Sequence, residues 1–270
     1  MAELPEIIVI SNQMKEKIKG KIFKEVEVHQ RKCLNCSVKD FVSSILENRI
    51  LDVSFLGKWF LIHLERGFLL INLGMGGDMV YFNKDTPLSK KYQFKFLFED
   101  GTGFTIRFWW FGYVHFVNNL EEHRWTRQIG PSPFEPSFTF DKFLKIFQGR
   151  KGNIKAFLLN QKNISGIGNF YIHDILFEAK LHPLRKIETL REEEMRDLYD
   201  AIKRRLKLSL ELGGADYELN FLGERGKFTS DYFLVAYKEG KDCPICGTKI
   251  EKIRTGGNFS FVCRKCQKSN

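Results

Sequence analysis

Residues 129–136 read Ile-Gly-Pro-Ser-Pro-Phe-Glu-Pro, and the character of the chain changes on either side of them. Because proline fixes φ and cannot donate to a hydrogen-bonded ladder, this stretch predicts a stiff linker over residues 131–136. The sequence before it is strand-like, and the sequence after it is helical. We therefore predict an N-terminal β domain over residues 1–130, a helical domain over residues 137–240 and a cysteine-rich end over residues 241–270.

Short runs rich in aromatic and β-branched residues fill the N-terminal part, and turn signals such as Glu65-Arg66-Gly67 lie between them. Runs this short and this closely spaced are typical of an antiparallel sandwich or barrel. The predicted strands cover residues 50–55, 59–64, 68–73, 79–82, 92–98, 104–108 and 113–117.

Helical spacing precedes the strands and dominates after the linker. Ile7, Ile10, Met14 and Ile18 predict a helix over residues 5–19, which Gly20 can end. Further helices are predicted over residues 38–47, 140–147, 154–159, 170–179 and 188–212. The glycine-rich residues 213–226 are predicted to form a mobile loop. Strands and helices in separate parts of the chain predict the α+β class.

The charge of the chain favours an anionic partner. Among 270 residues there are 43 lysines and arginines against 33 acidic residues, a formal net charge of +10. Clustered basic side chains release counterions from a phosphate backbone, so the excess points to nucleic acid. A hydrophobic share of 43% argues against a disordered chain. We find no signal-peptide pattern and no apolar run of membrane-spanning length, and expect an intracellular protein with no membrane partner.

Four cysteines near the end form two pairs, Cys243-Pro-Ile-Cys246 and Cys263-Arg-Lys-Cys266, with sixteen residues between the pairs. Together they match a tetrahedral four-cysteine zinc ribbon without an open coordination position, so we expect one structural Zn²⁺ ion as the cofactor. Basic residues in the intervening hairpin, Arg254 among them, favour a finger that faces phosphates. A third pair, Cys33 and Cys36, has no partner pair and is interpreted as ordinary packing or surface cysteines.

Two further motifs carry chemistry only weakly by themselves. In residues 163–174, a Gly-x-Gly turn precedes a predicted helix, and its amides together with Asn169 suit a phosphate. At the start of the chain, loss of Met1 would expose the α-amine of Ala2. An α-amine has a pKa of roughly 8 against about 10.4 for lysine, so more of it is neutral and nucleophilic at pH 7. Glu3 beside it can serve as a general acid.

In their order and spacing, these motifs resemble the formamidopyrimidine-DNA glycosylase and endonuclease VIII family of bifunctional DNA glycosylases. The resemblance covers nearly the whole chain. It is carried by residues 2–6 (Ala-Glu-Leu-Pro-Glu), strand-borne Gly57-Lys58, Leu73-Gly74-Met75, Phe111-Gly112, residues 154–161 and 166–169, Leu181-His182-Pro183 and the four-cysteine finger. The family fold is a two-layer β-sandwich joined to a helical domain with a helix–two-turn–helix motif and a zinc finger. DNA binds in the cleft between the domains.

The resemblance implies base-excision repair of oxidised bases, together with abasic-site lyase activity. The damaged nucleotide is flipped out, because its sugar carbon is out of reach inside the stack. The α-amine, here on Ala2, attacks that carbon and displaces the base to form a Schiff base, and β- and δ-elimination then cut the strand. Glu3 matches the acid that protonates the sugar ring oxygen, and Lys58 matches a basic residue near the lesion phosphate. Glu6 matches a second acid, for which capping of the first helix is the alternative.

The same resemblance implies a set of DNA contacts. Met75 stands where an apolar wedge fills the gap left by the flipped base, and Phe111 stands where an aromatic ring props the opposite strand. Ordinary core packing is the alternative for both. Asn169 matches a phosphate-clamping asparagine. The remaining implied contacts are Lys91, Trp109, Lys151, Lys155 and Arg254. The expected partner is damaged DNA, double-stranded or single-stranded, and we expect a monomer.

Four features depart from the family pattern. Ala2 replaces the usual proline, and the imine of a primary amine can lose its proton, so we expect a weaker electron sink. Trp109 replaces an arginine that reads the base opposite the lesion, which predicts weaker discrimination or a single-stranded substrate. Asn258 replaces an arginine that assists δ-elimination, so this step should be slower. Residues 213–226 do not resemble the loop that caps 8-oxoguanine, which favours oxidised pyrimidines, hydantoins or abasic sites.

Two other classes of protein stay open. A paralogue that recognises lesions without cutting them agrees with the departures at Ala2, Trp109 and Asn258. A zinc-ribbon protein that binds RNA or assists transcription would account for the charge and the finger. It would not account for the Ala2-Glu3 start or for the turn at residues 166–169.

Overall fold

The computed structural model describes residues 2–86, 88 and 91–268, and the chain divides into two compact units. Unit 1 comprises Met1–Gln128 and Leu210–Lys227, and unit 2 comprises Ile129–Ser209 and Phe228–Asn270. The predicted α+β class is confirmed, with sheets in unit 1 and helices with a terminal hairpin in unit 2. Within the described residues, no helix is long and apolar enough to cross a membrane.

Unit 1 is built from two antiparallel four-stranded sheets and two helices. Its elements are α1 (Leu4–Ile18), β1 (Phe23–Val28), α2 (Val38–Ile45), β2 (Ile50–Leu56), β3 (Trp59–Leu64), β4 (Phe68–Asn72), β5 (Gly77–Phe82), β6 (Phe94–Phe98), β7 (Gly103–Phe108) and β8 (Tyr113–Val117). One sheet has the order β1-β6-β7-β5, and the other has the order β2-β3-β4-β8. Every predicted strand forms, with ends shifted by up to two residues.

The core of unit 1 is rich in phenylalanine. Phe96 and Phe104 stack across β6 and β7 with ring centroids 4.7 Å apart, and Phe23 on β1 packs against Phe96 at 5.7 Å. The predicted apolar stripe of α1, including Ile7 and Met14, is buried in the same core. Burying such side chains contributes roughly 1.5–3 kcal/mol each, which explains why the stripe directs α1 onto the sheets.

Strand β1 is not among the predicted strands. Its sequence, Phe-Lys-Glu-Val-Glu-Val, carries charges at half of its positions. It pairs only with β6 and lies at the edge of its sheet, where charged side chains reach solvent. Charge on an edge strand is a common protection against pairing with other chains. Here the same charged residues make the segment hard to recognise as a strand from its sequence.

Residues 210–227 belong to unit 1, although we predicted them within the helical domain. Phe221 is fully buried in the core of unit 1. Its N–H donates to Gln13 Oε1 at 2.9 Å, and its carbonyl accepts from Tyr81 N at 2.7 Å. The segment therefore covers the outer edge of β5, which satisfies backbone groups that an edge strand otherwise leaves unpaired.

Unit 2 contains the remaining elements. They are α3 (Phe140–Phe147), α4 (Ile154–Leu159), α5 (Ile172–Glu178), α6 (Glu192–Glu211), β9 (Glu251–Thr255) and β10 (Asn258–Val262), with α6 ending in residues that belong to unit 1. Helix α6 starts four residues later than predicted, with three glutamates in its first turn that suit the positive helix end.

Residues 131–136, predicted as a linker, lie at the start of unit 2, where Pro131 O accepts from Ser165 N at 3.0 Å.

A buried carboxylate organises unit 2. Asp174 on α5 accepts hydrogen bonds from the consecutive backbone amides of Leu234, Val235 and Ala236, at 3.0, 2.8 and 2.9 Å. It also pairs with Arg205 of α6 at 3.2 Å. These hydrogen bonds and the ion pair fix the segment that leads to the finger against α5 and α6.

Candidate functional site

The start of α1 is buried, although terminal residues are usually solvated. Ala2, Glu3 and Glu6 all lie in the interior of unit 1. Glu6 Oε2 accepts from Glu3 N at 2.9 Å, and Glu6 Oε1 accepts from Ala215 N at 2.9 Å. Glu6 thus caps the helix, as the alternative interpretation held, and also ties Glu3 to residues 210–227. Met1, whose removal we predict, lies outside the described residues.

Lys58 lies in a turn, whereas we predicted it on a strand. Gly57 and Lys58 form the two-residue connection between β2 and β3, where Leu56 pairs with Trp59. Gly57 has φ +57°, which favours glycine at the first turn position and fits a type II′ hairpin. Burial lowers the pKa of Lys58, and the nearby carboxylates of Glu3 and Glu6 act in the opposite direction. The turn therefore brings the predicted lysine and the two glutamates together.

Asn72, at the end of β4, connects this turn to the next loop. Its Nδ2 donates to Lys58 O at 3.0 Å, and its Oδ1 accepts from Gly74 N at 2.8 Å. One side chain therefore fixes the positions of both Lys58 and the loop that carries Met75. Asn72 was not among the predicted site residues, because an asparagine at a strand end is an ordinary turn signal.

Glu218 is a second residue that sequence reasoning missed. It is buried within residues 210–227 and shares a small cavity lining with Glu6. Burial raises the pKa of Glu218, and the neighbouring carboxylates of Asp78 and Glu3 act in the same direction. A carboxyl group with a raised pKa keeps its proton closer to neutral pH and can act as a general acid.

Met75 and the segment at residues 109–111 form an exposed apolar surface. Met75, Trp109, Trp110 and Phe111 are 58%, 47%, 67% and 70% exposed. The two loops touch: Trp109 N donates to Gly76 O at 2.9 Å, and a Cβ on Gly74 would lie 1.1 Å from Phe111 O. Core packing is therefore excluded for Met75 and Phe111 in this structure. Exposed aromatic and apolar side chains on adjoining loops are typical of an interaction site.

Trp110 completes this surface, although the sequence analysis singled out only its neighbours. It is one of the most exposed large apolar side chains among the described residues. Its exposed ring offers an aromatic face of the kind on which nucleobases stack. The run Trp-Trp-Phe was the available signal, since three successive large aromatic residues cannot all face the core of one strand.

In unit 2, the turn that carries Asn169 is shaped by Gln161. Gln161 Oε1 accepts from Gly166 N at 2.8 Å, and its Nε2 donates to Ile167 O at 2.8 Å. Asn169 follows this turn, and its Oδ1 is buried without a hydrogen-bond partner among the described residues. A buried amide oxygen without a partner is costly, which distinguishes Asn169 from the side chains that hydrogen-bond within unit 2.

Lys155 lies in the interior of unit 2, not on its surface. Its Nζ donates to Phe259 O at 2.6 Å and Ser260 Oγ at 2.8 Å, and Thr255 Oγ1 lies at 3.5 Å. Burial lowers the pKa of Lys155 to about 8. The lysine therefore holds the β9–β10 hairpin against α4. These contacts favour a structural role over the DNA contact that the resemblance implied.

Two other predicted residues lie on the finger hairpin. Asn258 opens β10 beside a turn formed by Gly256 and Gly257, and it pairs with Thr255. Arg254 is exposed on β9 and donates from Nε to Gly256 O at 3.4 Å. Both side chains are accessible at the hairpin tip. The remaining predicted contacts, Lys91 and Lys151, are also exposed.

The four predicted cysteine ligands come together. The Sγ atoms of Cys243, Cys246, Cys263 and Cys266 all lie within 4.8 Å of one another. Cys243 and Cys266 are 3.7 Å apart, and Cys246 and Cys263 are 3.4 Å apart. Four sulfurs about 2.3 Å from a central Zn²⁺ have similar separations, so the cluster fits the metal. By contrast, Cys33 is buried in the core and Cys36 is exposed, as expected for ordinary cysteines.

Family models match three successive parts of the chain. The formamidopyrimidine-DNA glycosylase N-terminal domain matches residues 1–109, the H2TH domain of the same enzymes matches residues 129–220, and a zinc finger found in FPG and IleRS matches residues 240–268. A formamidopyrimidine-DNA glycosylase of Histophilus somni strain 2336 is 31% identical over 273 residues, covering 99% of this chain and 100% of the relative. The chain belongs to the formamidopyrimidine-DNA glycosylase family.

Other members of the family agree. The formamidopyrimidine-DNA glycosylase of Listeria innocua is 32% identical over 276 residues, with 99% of this chain and 100% of the relative covered. A solved complex between the Lactococcus lactis Fpg and DNA containing an abasic site has a TM-score of 0.89 at 25% identity, covering 99% and 100% of the two chains. The resemblance and the predicted helix–two-turn–helix and zinc-finger parts are confirmed, and membership makes the chain a DNA glycosylase of DNA repair.

Proposed function

We propose that the chain excises oxidised bases from DNA and cleaves the resulting abasic sites through the α-amine of Ala2. The observation that carries this proposal is the buried start of α1, where Ala2 precedes Glu3 and the carboxylate of Glu3 raises the pKa of Lys58 against the effect of burial. A solvated tail would present none of these groups in a fixed geometry. Solved relatives bound to abasic-site DNA support the substrate class.

The chemistry assigns one role to each group. The amine lone pair forms a bond to the sugar C1′ as the bond between C1′ and the base breaks, and the base leaves with a proton. The nitrogen loses one proton, Glu3 protonates the ring oxygen, and the bond between C1′ and that oxygen breaks, which opens the ring and leaves a protonated Schiff base. This iminium acidifies the C2′ proton, and removal of that proton expels the 3′ phosphate. Lys58 supplies positive charge beside that phosphate.

The exposed surface of Met75, Trp109, Trp110 and Phe111 is proposed to hold the DNA around the flipped nucleotide. Met75 fills the gap in the stack, and the rings stack on unpaired bases. Stacking contributes about 1–3 kcal/mol per base and tolerates any sequence. Trp109 offers one donor where arginine would offer a bidentate contact, so we propose weak opposite-base selectivity and efficient action on single strands.

The finger is proposed to bind one Zn²⁺ through Cys243, Cys246, Cys263 and Cys266. The bound ion supplies a structural cross-link, since four protein ligands leave no position for a substrate. The hairpin then presents Arg254 and Asn258 to phosphates. Because Asn258 lacks the charge of an arginine, products of β-elimination should accumulate ahead of those of δ-elimination.

A trapping experiment tests the nucleophile. The zinc-loaded protein is incubated with abasic-site DNA and borohydride, which reduces an imine to a stable amine. The DNA adduct should map to Ala2 by peptide mass spectrometry, and protein that retains Met1 should give none. An adduct on a lysine, or equal trapping with Met1 retained, would contradict the proposal. Lesion binding without any adduct would favour the non-cutting paralogue.

A further inference from the structure

A cavity of about 410 Å³ opens on unit 1 outside the groups assigned to catalysis. Its wall is formed by alternate residues of β8, namely Tyr113, His115 and Val117, and by residues around Trp125. The opposite face of β8 packs into the core of unit 1 through Val114 and Phe116. The volume lies within the range of roughly 300–1,000 Å³ that is typical of small-molecule sites.

The cavity wall is made largely of planar rings. Tyr113 and Trp125 have centroids 4.7 Å apart, and His115 stacks on Trp125 at 5.2 Å with 26° between the planes. The guanidinium carbon of Arg124 lies 4.5 Å from the Trp125 ring centroid. Planar rings beside an arginine plane are the surfaces on which nucleobases stack.

His115 presents a fixed donor in this wall. Thr126 N donates to His123 Nδ1 at 3.3 Å, so that nitrogen is an acceptor. Burial lowers the pKa of His115 to about 4 and also lowers the pKa of His123, so both rings are neutral at pH 7. Neutral His123 therefore carries its proton on Nε2 and donates across 3.0 Å to His115 Nδ1. His115 must then carry its own proton on Nε2.

The Nε2–H of His115 has no protein acceptor among the described residues, although His115 is only 5% exposed. His115 lines the cavity and its Nε2 is not shut off from solvent, so water or a molecule bound in the cavity can accept this hydrogen bond. A carbonyl oxygen or ring nitrogen of a nucleobase is such an acceptor. The histidine pair is thus oriented for an acceptor group in the cavity.

Charges at the rim favour an anion. Lys32 and Arg124 both line the cavity and are exposed, and Glu122 is the single acidic residue of the lining. The loop that carries Lys32 is fixed to β8 by Asn35, whose Nδ2 donates to Phe116 O at 2.8 Å and whose Oδ1 accepts from Phe116 N at 3.0 Å. Lys32 is therefore presented from a loop anchored beside the aromatic wall.

We propose that this cavity binds a nucleotide, with its base against Tyr113 and Trp125 and its phosphate at Lys32 and Arg124. The nucleotide is either a free mononucleotide or an unpaired unit of a DNA strand, since both present the same base and phosphate. This site is separate from the catalytic groups, and it gives a DNA-repair enzyme a second point of contact with nucleotides.

Ligand-observed NMR on the full-length, zinc-loaded protein tests the proposal. The catalytic site is first saturated with a duplex that carries a stable abasic-site analogue, and dAMP, dTMP or the trinucleotide d(TTT) is then titrated. The charge reversal Lys32→Glu/Arg124→Glu should weaken binding by about tenfold or more, as expected for loss of two phosphate contacts. The matched control Lys39→Glu/Arg127→Glu changes two exposed basic residues outside the lining and should bind within about twofold of the original chain.

The outcomes separate the sources of the nucleotide. Binding of dAMP and dTMP supports a free nucleotide, and binding of d(TTT) alone supports a unit of a strand. No binding of any of the three, or equal weakening by both double variants, overturns the proposal. Trp125→Leu provides a second arm, because it removes the stacking ring and leaves both rim charges in place.

Cleavage of abasic-site DNA is measured on the same variants. Both double variants should cleave at the original rate, because none of these residues belongs to the catalytic groups. If only the cavity variant loses cleavage, the cavity belongs to the main DNA site and the proposal of a separate site fails. If the original chain binds nucleotides but does not cleave, the proposed function fails while the cavity proposal stands.

Discussion

Asn72 Nδ2 donates to Lys58 O at 3.0 Å, so the turn that carries the predicted phosphate-binding lysine is held by the residue that also holds the Met75 loop. The two loops are separated in sequence by two strands, β3 and β4, but share one anchor. Rigid support of this kind keeps functional groups within the narrow geometry that catalysis needs.

Replacing this anchor should reduce activity more than stability. Asn72→Ala removes two hydrogen bonds and should lower the free energy of unfolding by about 1–3 kcal/mol. Cleavage of abasic DNA should fall well beyond what that loss explains, because both loops move. Asn48→Ala is the control, since Asn48 also bridges two segments, through Ser44 O and Arg66 O. Equal loss of cleavage in the two variants, at matched folded fractions, would contradict the positioning role.

Glu218 should matter for base removal but not for cleavage of a site that has already lost its base. Burial and the neighbouring Asp78 raise the pKa of Glu218, which suits it to protonate a departing base. Glu218→Gln should therefore slow excision of an oxidised base and leave abasic-site cleavage close to the original rate. The exposed Glu224→Gln in the same segment serves as a control. A parallel loss of both activities would point to a structural role instead.

Ala2→Pro should accelerate strand cleavage. The iminium formed by a secondary amine has no proton on its nitrogen to lose, so it stays cationic and is a stronger electron sink for elimination. Single-turnover rates on abasic-site DNA measure this step separately from product release. A slower variant that folds normally would show that the primary amine is not limiting in this chain.

Trp109→Arg should introduce selectivity for the base opposite the lesion. A bidentate arginine contact discriminates among bases by roughly 1–3 kcal/mol, whereas one indole N–H cannot. Cleavage opposite each of the four bases should be nearly equal in the original chain and should favour one base in the variant. A strong preference in the original chain would mean that another residue reads the opposite base.

The His115–His123 pair should make unit 1 sensitive to acid. The pKa of His115 is about 4 in the fold, mainly because of burial, against an ordinary value of 6.5. As pH falls from 6.5 towards 4, the unfolded chain binds a proton at this histidine and the folded chain does not, so the free energy of unfolding decreases over this pH range. Relative to His115→Gln, the original chain should lose on the order of 1–2 kcal/mol between pH 7 and pH 5 in denaturant titrations. Parallel pH curves for the two proteins would refute the lowered pKa.

Local patterns predicted most of the elements and the metal cluster. Each of these patterns is defined by residues that lie close together in the sequence: the apolar stripe of α1, the aromatic strands and the two Cys-x-x-Cys pairs. The structure confirms each of them. The family resemblance added Lys58, Met75 and Trp109, because it transfers spatial information that spacing alone lacks. The roles of these residues in catalysis and DNA binding remain predictions.

The missed features depend on long-range contacts. The segment that carries Glu218 and Phe221 is bound to α1 by residues about two hundred positions away in the chain: Ala215 N donates to Glu6, and Phe221 N donates to Gln13. A glycine-rich stretch with a lone buried glutamate gives no local sign of such packing. For Lys155 the resemblance implied a contact with DNA, and the hydrogen bond from its Nζ to Phe259 O, which links α4 to the finger hairpin, could not be predicted from neighbouring residues in the sequence.

The return of residues 210–227 to the first unit has a consequence for synthesis of the chain. While the ribosome is still making the helical part, the phenylalanine-rich core lacks Phe221, the edge of β5 is uncovered, and Glu6 lacks the amide of Ala215. Closing the loop between the N-terminal strands and residues 210–227 costs conformational entropy before any stabilising contact is made. The nascent β-sandwich must therefore persist with an open seam until most of the chain has emerged, and this interval is when the protein is most exposed to aggregation and to chaperones.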